Sequence, residues 1–134
     1  MNDCLLCKIS NGDIPSYKVY EDENSLAFLD VKPHAKGHIM VIPKNHAVTI
    51  LELDEESVKN LFATVKKVMG IVKAKLNPDG FNVGWNHGEA GGQVLQHLHV
   101  HIMPRYVGDG GKSVHAIVDN PGELSVAEVH KLFS

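Results

Sequence analysis

Three histidines occupy alternate positions in the segment QHLHVHIMPR, residues 96–105, as His97, His99 and His101. Side chains alternate between the two faces of a β-strand, so a strand here would place the three imidazoles on one face, about 6.5–7 Å apart. The other face would carry the apolar residues Leu98, Val100 and Ile102. A helix would scatter the histidines around its axis. The spacing therefore predicts a half-buried strand with one face suited to chemistry.

Two kinds of chemistry suit such a row of imidazoles, beside the plain alternative of a polar strand face without chemistry. Two histidines at positions i and i+2 of a strand can chelate zinc, which takes three or four ligands. Alternatively, one imidazole is a nucleophile and its neighbours are donors. A catalytic zinc site could use a carboxylate as ligand or base, and this strand supplies none. The preceding glycine-rich loop, HGEAGGQ, lets backbone N–H groups approach an anion, which favours phosphoryl chemistry.

Composition limits the class of protein. The 134 residues, with 43% hydrophobic and 22% charged residues, predict a single domain over residues 1–134, with a C-terminal tail from about residue 107. A net charge of −3 gives no electrostatic support for binding nucleic acid. The sequence has no apolar run of about 18 residues, and its first ten residues are too short and polar for a signal peptide. We expect a cytoplasmic protein without membrane or nucleic-acid partners.

The remaining elements follow from periodicity. Alternating and apolar runs predict four further strands, at residues 17–21, 25–30, 38–43 and 81–86. Apolar residues at spacings of three and four predict a long helix to about residue 76, with Asp54 as its N-cap. A short helical turn opens the chain, and Ser125 with Glu128 forms a capping-box signature for a short last helix. Pro43 and Pro104 are predicted to end their strands. Consecutive strands with short connections favour an antiparallel sheet and an α+β fold.

The segment HLHVHIM fits the pattern His-φ-His-φ-His-φ-φ, in which φ is apolar, and so resembles the signature of the histidine triad family. The resemblance extends to residues 4–46 and to the loop NHGEAGGQ, and it covers about residues 4–107. It is closer to the phosphoramidase and bacterial branches than to the branch that splits diadenosine polyphosphates, although the ending MPR is shared with the latter. It implies a homodimer in which two five-stranded antiparallel sheets join.

The resemblance also implies a reaction, the hydrolysis or transfer of nucleoside monophosphates through a covalent nucleotidyl-histidine. By the family pattern, His99 attacks the α-phosphorus, while its Nδ1–H bonds the carbonyl of His97 and leaves Nε2 unprotonated. His101 would donate to a phosphate oxygen or to the leaving group. His38, from a separate strand, would buttress the triad.

Nucleotide contacts are carried over in the same way, and His99 and His101 take part in them. Further contacts are implied for Asp30 with the ribose hydroxyls, Val31 near the base, and Asn86 with the Gly92 and Gln93 backbone around phosphate and ribose. Without the resemblance, Asp30 is better interpreted as a turn cap. The phosphoramidase branch often has serine or threonine where this chain has Val94, so a hydroxyl that could assist the leaving group is missing.

Cys4 and Cys7 form a lone C-x-x-C, which by itself indicates zinc, a redox pair or no special role. The βαβ context of a thioredoxin-like site is absent. Resemblance to bacterial family members with this cysteine pair implies a structural zinc site of four ligands, Cys4, Cys7, His46 and His97. Such a closed site would leave no position for an activated water.

The leading hypothesis is therefore a nucleotidyl hydrolase or transferase that acts on a purine nucleotide such as an AMP conjugate. Alternatives are a diadenosine polyphosphate hydrolase, a nucleotide-binding regulatory protein, and a zinc-dependent hydrolase with metal on His99 and His101. The intact triad favours an enzyme over a binder, because pure binding needs no unprotonated nucleophile.

Overall fold

The computed structural model describes residues 3–134 and has an α+β fold. One antiparallel sheet has five strands in the order β1-β2-β3-β5-β4. The strands are β1 (Lys18–Glu21), β2 (Ser25–Leu29), β3 (Ile39–Pro43), β4 (Gly80–Gly84) and β5 (Val100–Arg105). The helices are α1 (Leu5–Ser10), α2 (Glu55–Leu76) and α3 (Val126–Lys131), and three short 3-10 turns lie between them. The predicted fold class is thus confirmed.

The long helix α2 covers one face of the sheet. Asp54 caps its N-terminus by accepting a hydrogen bond from the Ser57 N–H at 2.7 Å, and Asn77 ends it in the left-handed conformation at φ 48°. The apolar side of α2 packs on β2, β3 and β5. This main core contains Ala27, Ile39, Val41, Leu61, Val65, Val68, Val72, Leu98, Val100 and Ile102. The predicted apolar face of the histidine segment is therefore confirmed as the face toward the core.

The opposite face of the sheet carries α1 and a smaller core of Leu6, Leu26, Phe28 and Ile42. Cys4 is the N-cap of α1, and its Sγ accepts a hydrogen bond from the Cys7 N–H at 3.3 Å. The N-terminal cysteines are thereby held on the same side of the sheet as the histidine side chains.

Strand β5 begins at Val100, so the prediction that all three histidines lie in the strand is wrong. Residues 97–99 are drawn away from the ladder, because the Leu98 N–H donates to the carbonyl of Ala47 at 2.7 Å. Only His101 pairs within the sheet, opposite Met40 on one side and Gly84 on the other. The alternation of polar and apolar faces nevertheless continues through this segment.

Two further strand limits differ from prediction. Strand β5 continues through Pro104 to Arg105, because beyond Ile102 it pairs with β4 alone and a proline is tolerated where one side of the ladder is free. Strand β4 ends at Gly84, before Trp85 and Asn86. Its partner strand turns away before residue 100, so β4 has nothing to pair with further along.

The tail from residue 107 is exposed throughout. The Arg105 side chain holds the start of this tail in place. It donates two hydrogen bonds to the Asp109 carboxylate, at 2.9 and 2.8 Å, and one to the carbonyl of Lys112. Helix α3 has the predicted capping box of Ser125 and Glu128. Within residues 3–134, no helix has the length and apolar character needed to cross a membrane.

Candidate active site

His99 is buried and its ring has a defined orientation. The Nδ1 atom lies 2.7 Å from the carbonyl oxygen of His97. Because a carbonyl only accepts, Nδ1 carries the proton, and in the neutral ring Nε2 then holds the lone pair. The geometry that the resemblance implied for these two residues is present. An imidazole with a free Nε2 is able to attack phosphorus.

His97 is fully buried and takes the opposite tautomer. Its Nε2 lies 2.9 Å from the carbonyl oxygen of Pro43 and so donates, which leaves the Nδ1 lone pair facing the sulfurs of Cys4 and Cys7 at 3.3 and 3.5 Å. Burial lowers the pKa of His97, which favours this neutral form. A ring with one nitrogen on a backbone carbonyl and the other free is the usual arrangement of a zinc-binding histidine.

The structure brings together all four predicted metal-site residues. Ligand atoms of Cys4, Cys7, His46 and His97 lie within 4.8 Å of one another, and His46 Nδ1 is 3.3 Å from Cys7 Sγ. Burial, together with the hydrogen bond and charge of Cys4, raises the pKa of the Cys7 thiol to about 11. A bound cation would favour the thiolates that burial opposes. Two thiolates and two imidazoles match a structural zinc site in number and chemistry.

His101 and His38 form a second histidine pair, and Asp30 lies beside it. His38 Nε2 is 2.9 Å from His101 Nδ1 and 3.7 Å from an Asp30 carboxylate oxygen. Burial is the main cause that lowers the pKa of His101 to about 4, and burial also lowers the pKa of His38. Both rings are therefore neutral at pH 7. The His101 ring lies 5.1 Å from that of His99, so the two predicted catalytic imidazoles are neighbours.

Asp30 is a turn cap, as one of its two predicted roles requires, and its contact with ribose stays a prediction. One carboxylate oxygen accepts a hydrogen bond from the Lys32 N–H at 2.8 Å, which is a turn cap, while the other faces His38. Val31 is 74% exposed at the start of this turn. Its side chain is thus free to meet a ligand, and its role beside a base stays a prediction.

The glycine-rich loop is folded tightly by its own backbone. Gly92 has φ 94°, and its N–H donates to Glu89, while the Gln93 N–H donates to Gly88. Both N–H groups expected to face an anion are therefore already engaged. The Gln93 side chain is buried, with its amide bonded to the Gly88 N–H and to the carbonyls of Val48 and Leu95.

Two backbone donors, one in the glycine-rich loop and one bonded to His38, were missed by sequence reasoning. The Val94 N–H, next along the glycine-rich loop, makes no hydrogen bond within residues 3–134 and is thus free for an anion. The His34 N–H donates to His38 Nδ1 at 3.2 Å. The Gly-Gly-Gln sequence before Val94 is a signal from which the Val94 donor could have been predicted. The His34 donor depends on how the loop 30–38 closes, which amino-acid composition does not determine.

Known proteins similar to this chain agree with the fold and define the family. The HIT domain model matches residues 11–108. The adenosine 5'-monophosphoramidase of Schizosaccharomyces pombe is 46% identical over 102 residues, which cover 76% of this chain and 74% of that protein. The crystal structure of a HIT family protein from Bacillus anthracis is 39% identical, with a TM-score of 0.86 over 98% of this chain and 93% of the other. This chain belongs to the HIT, or histidine triad, family.

A zinc-bound relative is also similar in structure. The crystal structure of a Zn-bound histidine triad family protein from Mycobacterium smegmatis is 37% identical, covers 81% of this chain and 79% of the other, and has a TM-score of 0.77. Zinc is thus bound in one protein to which this chain is similar in structure.

Proposed function

We propose that this protein cleaves nucleoside 5'-monophosphate from a phosphoramidate or a related small leaving group, and that an AMP conjugate is its substrate. The observation that carries the proposal is the His99 ring, whose Nδ1 is committed to the His97 carbonyl at 2.7 Å and whose Nε2 is left free. The similarity to an adenosine 5'-monophosphoramidase supports the substrate class.

The reaction has two steps. His99 Nε2 attacks the α-phosphorus, a P–N bond to His99 forms, and the bond from phosphorus to the leaving group breaks. The Nε2–H of His101 donates a hydrogen bond to the departing nitrogen or oxygen, and a water molecule gives that atom its proton, which is needed because an amine leaves poorly as an anion. The hydroxide formed from that water then attacks the phosphorus of the nucleotidyl-histidine, the P–N bond to His99 breaks, and the nucleoside monophosphate is released with His99 restored.

Substrate contacts follow from the groups around His99. We assign the phosphate to the free Val94 N–H, with Asn86 and the loop at Gly92 and Gln93 enclosing it. Gly92 has φ 94°, a backbone conformation that a residue with a side chain rarely adopts, so glycine at this position allows the loop to turn beside Asn86. Asp30 would hold the ribose hydroxyls through its Oδ2, and Val31 would pack near the base.

Zinc is proposed as a structural cofactor. The ion would be held by Cys4, Cys7, His46 and His97. Bound there, it would cross-link the N-terminal residues to the histidine segment and would not contact the substrate. Asp30, His38 and His101 also place ligand atoms within 4.8 Å of one another. That second group is less suited to metal, since the 2.9 Å contact between its two imidazoles requires a proton on one of the ligand nitrogens.

A homodimer is proposed through the β4 edge of the sheet. Strand β4 is an outer strand, and its sequence, GFNVG, has no charge or proline, whereas the opposite edge β1 carries Lys18 and Glu21. An uncharged open edge invites pairing with a second copy. The tail adds further apolar surface, with Val126, Leu132 and Phe133 more than 70% exposed.

The test is mass spectrometry of the protein quenched during turnover of adenosine 5'-phosphoramidate conjugates. We expect a nucleotidyl adduct on a peptide containing His99, and its loss in His99→Ala together with a fall in turnover of several orders of magnitude. The matched control is His130→Ala, which removes an exposed histidine of α3. Full turnover without an adduct in His99→Ala would contradict the proposal, and activity restored only by added zinc would favour a metal-dependent hydrolase.

A further inference from the structure

We propose that the peptide N–H of His34 is a positioning group for the site: it fixes the tautomer of His38 and thereby sets which nitrogen of His101 carries the proton. This inference rests on the proposed function for its catalytic meaning. Its physical content is a property of the protein without substrate.

Two hydrogen bonds link His34 to His38 and His38 to His101, and the donor at the His34 end is fixed. The His34 N–H can only donate, so His38 Nδ1, at 3.2 Å, must accept. His38 is 2% exposed and burial lowers its pKa, so its ring is neutral and holds one proton. That proton is therefore on Nε2.

The direction is transmitted to His101. The Nε2–H of His38 lies 2.9 Å from His101 Nδ1, which must then accept. The neutral His101 ring accordingly carries its proton on Nε2, a nitrogen without a protein partner within residues 3–134. Asp30 lies 3.7 Å from His38 Nε2, and its charge also favours a proton there. His101 thus presents a donor to substrate, as the proposed reaction requires.

The loop that supplies the donor is held from three directions. Its ends are closed by the Asp30 N–H, which donates to the carbonyl of His38 at 2.9 Å. Its outer part is tied down by the Tyr106 hydroxyl, which donates to the carbonyl of Lys36 at 3.0 Å. Gly37, at φ 86°, lies against Leu76 so closely that a Cβ would collide with it. The His34 side chain is exposed and its ring lies 5.9 Å from that of His38, but only the backbone N–H of His34 is hydrogen-bonded to His38 Nδ1, so the backbone carries the positioning role.

The experiment compares His34→Pro with His34→Ala in full-length, substrate-free protein. Proline removes the N–H, whereas alanine removes the imidazole and keeps the N–H. Long-range ¹H–¹⁵N correlation spectra separate protonated from unprotonated ring nitrogens, and His101→Asn assigns the His101 signals. We expect wild type and His34→Ala to share the Nε2–H tautomer of His101. In His34→Pro, loss of a hydrogen bond of about 1 kcal/mol should shift the tautomer ratio roughly fivefold toward Nδ1–H.

Kinetics supply a second readout that a general loss of structure would not produce. Relative to His34→Ala, His34→Pro should lower kcat more for a basic amine leaving group than for an acidic phenol, which needs no proton. An unchanged tautomer ratio in folded His34→Pro would overturn the inference. Should that variant fail to fold, the wild-type spectrum decides instead: a His38 ring protonated on Nδ1 could not accept from the His34 N–H and would overturn the inference, whereas protonation on Nε2 alone supports it.

The outcome is separable from the proposed function. Absence of a nucleotidyl adduct on His99 would refute the reaction and leave the tautomer result intact. Conversely, an adduct together with unchanged His101 tautomers in both variants would reject the role of His34 alone.

Discussion

Burial lowers the pKa of His38, His97 and His101 and so keeps them neutral, and this has a cost at acidic pH. In the unfolded chain a histidine has a pKa near 6.5, whereas burial lowers the pKa of His101 to about 4 in the folded protein. Between these values the unfolded state binds more protons than the folded state. The contribution of His101 to stability is therefore complete above pH 6.5 and is lost as the pH falls toward 4.

Replacing His101 should make the protein less sensitive to acid. We expect the unfolding free energy of wild type to fall more than that of His101→Asn between pH 7.5 and pH 5, by about 1–2 kcal/mol, since one pKa unit corresponds to about 1.4 kcal/mol and His101 is only partly buried. Urea denaturation at both pH values measures the difference. Equal losses in the two proteins would show that His101 is not the group responsible.

Single residues also show the limit of prediction from sequence. The alternation at His97, His99 and His101, with the family pattern, was enough to predict the contact between the His99 ring and the His97 carbonyl. The donors at His34 and Val94 were not predicted, because every residue except proline has a backbone N–H and only the path of the loop decides which one reaches the site.

At the scale of elements, the loop 30–38 depends on one glycine. Gly37→Ala should destabilise the protein by about 2–4 kcal/mol, because a side chain there combines backbone strain at φ 86° with a collision against Leu76 and a close contact with Pro104. Gly12→Ala is the matched control, since φ is 87° and nothing lies within 4 Å. Urea denaturation compares the two.

A loss in Gly12→Ala as large as that in Gly37→Ala would mean that backbone strain alone explains the effect. A larger loss in Gly37→Ala, with altered His101 tautomer signals, would tie the packing of the loop to the site.

Helix α1 is the element that the metal would fasten to the sheet. Cys4→Ser with Cys7→Ser should abolish stoichiometric zinc and lower Tm by roughly 5–15 °C, while activity at low temperature remains largely intact because His99 and the phosphate loop are unchanged. Elemental analysis and thermal unfolding measure the two effects. Zinc retained at full stoichiometry in the double variant would reject these ligands.

The limits of helices and strands were predicted correctly where local sequence signals determine them. They were predicted incorrectly where pairing with distant residues determines them. The long helix was bounded correctly, because Asp54 and the sequence after residue 76 carry local start and stop signals. The start of β5 and the end of β4 were wrong, because they depend on the Leu98 N–H pairing with Ala47, 51 positions away in sequence. The end of β5 was wrong because beyond Ile102 the strand pairs with β4 alone.

At the scale of the whole molecule, the proposed dimer can be broken at one edge of the sheet. Val83 lies in β4 and is 40% exposed, so Val83→Glu should place two like charges across the two-fold axis and raise the dimer dissociation constant at least tenfold. Analytical ultracentrifugation measures the change. Tyr17→Glu is the control, because Tyr17 is 70% exposed beside the opposite edge strand.

A monomer in the unmodified protein at micromolar concentration would contradict the dimer directly. Equal weakening by Val83→Glu and Tyr17→Glu would instead place the contact elsewhere. Removal of residues 113–134, beyond the Arg105 anchor, tests the contribution of the tail with the body of the domain intact.

The tautomers of His38, His97, His99 and His101 rest on three main-chain groups: the carbonyls of Pro43 and His97 and the N–H of His34. Two of these groups exist whatever side chain the position carries, and the third is lost only to proline. Side chains around the pocket can therefore be exchanged while Nε2 of His99 keeps its lone pair. If His99 is the nucleophile, as proposed, the backbone path determines reactivity and the side chains determine selectivity, so the second can change while the first is conserved.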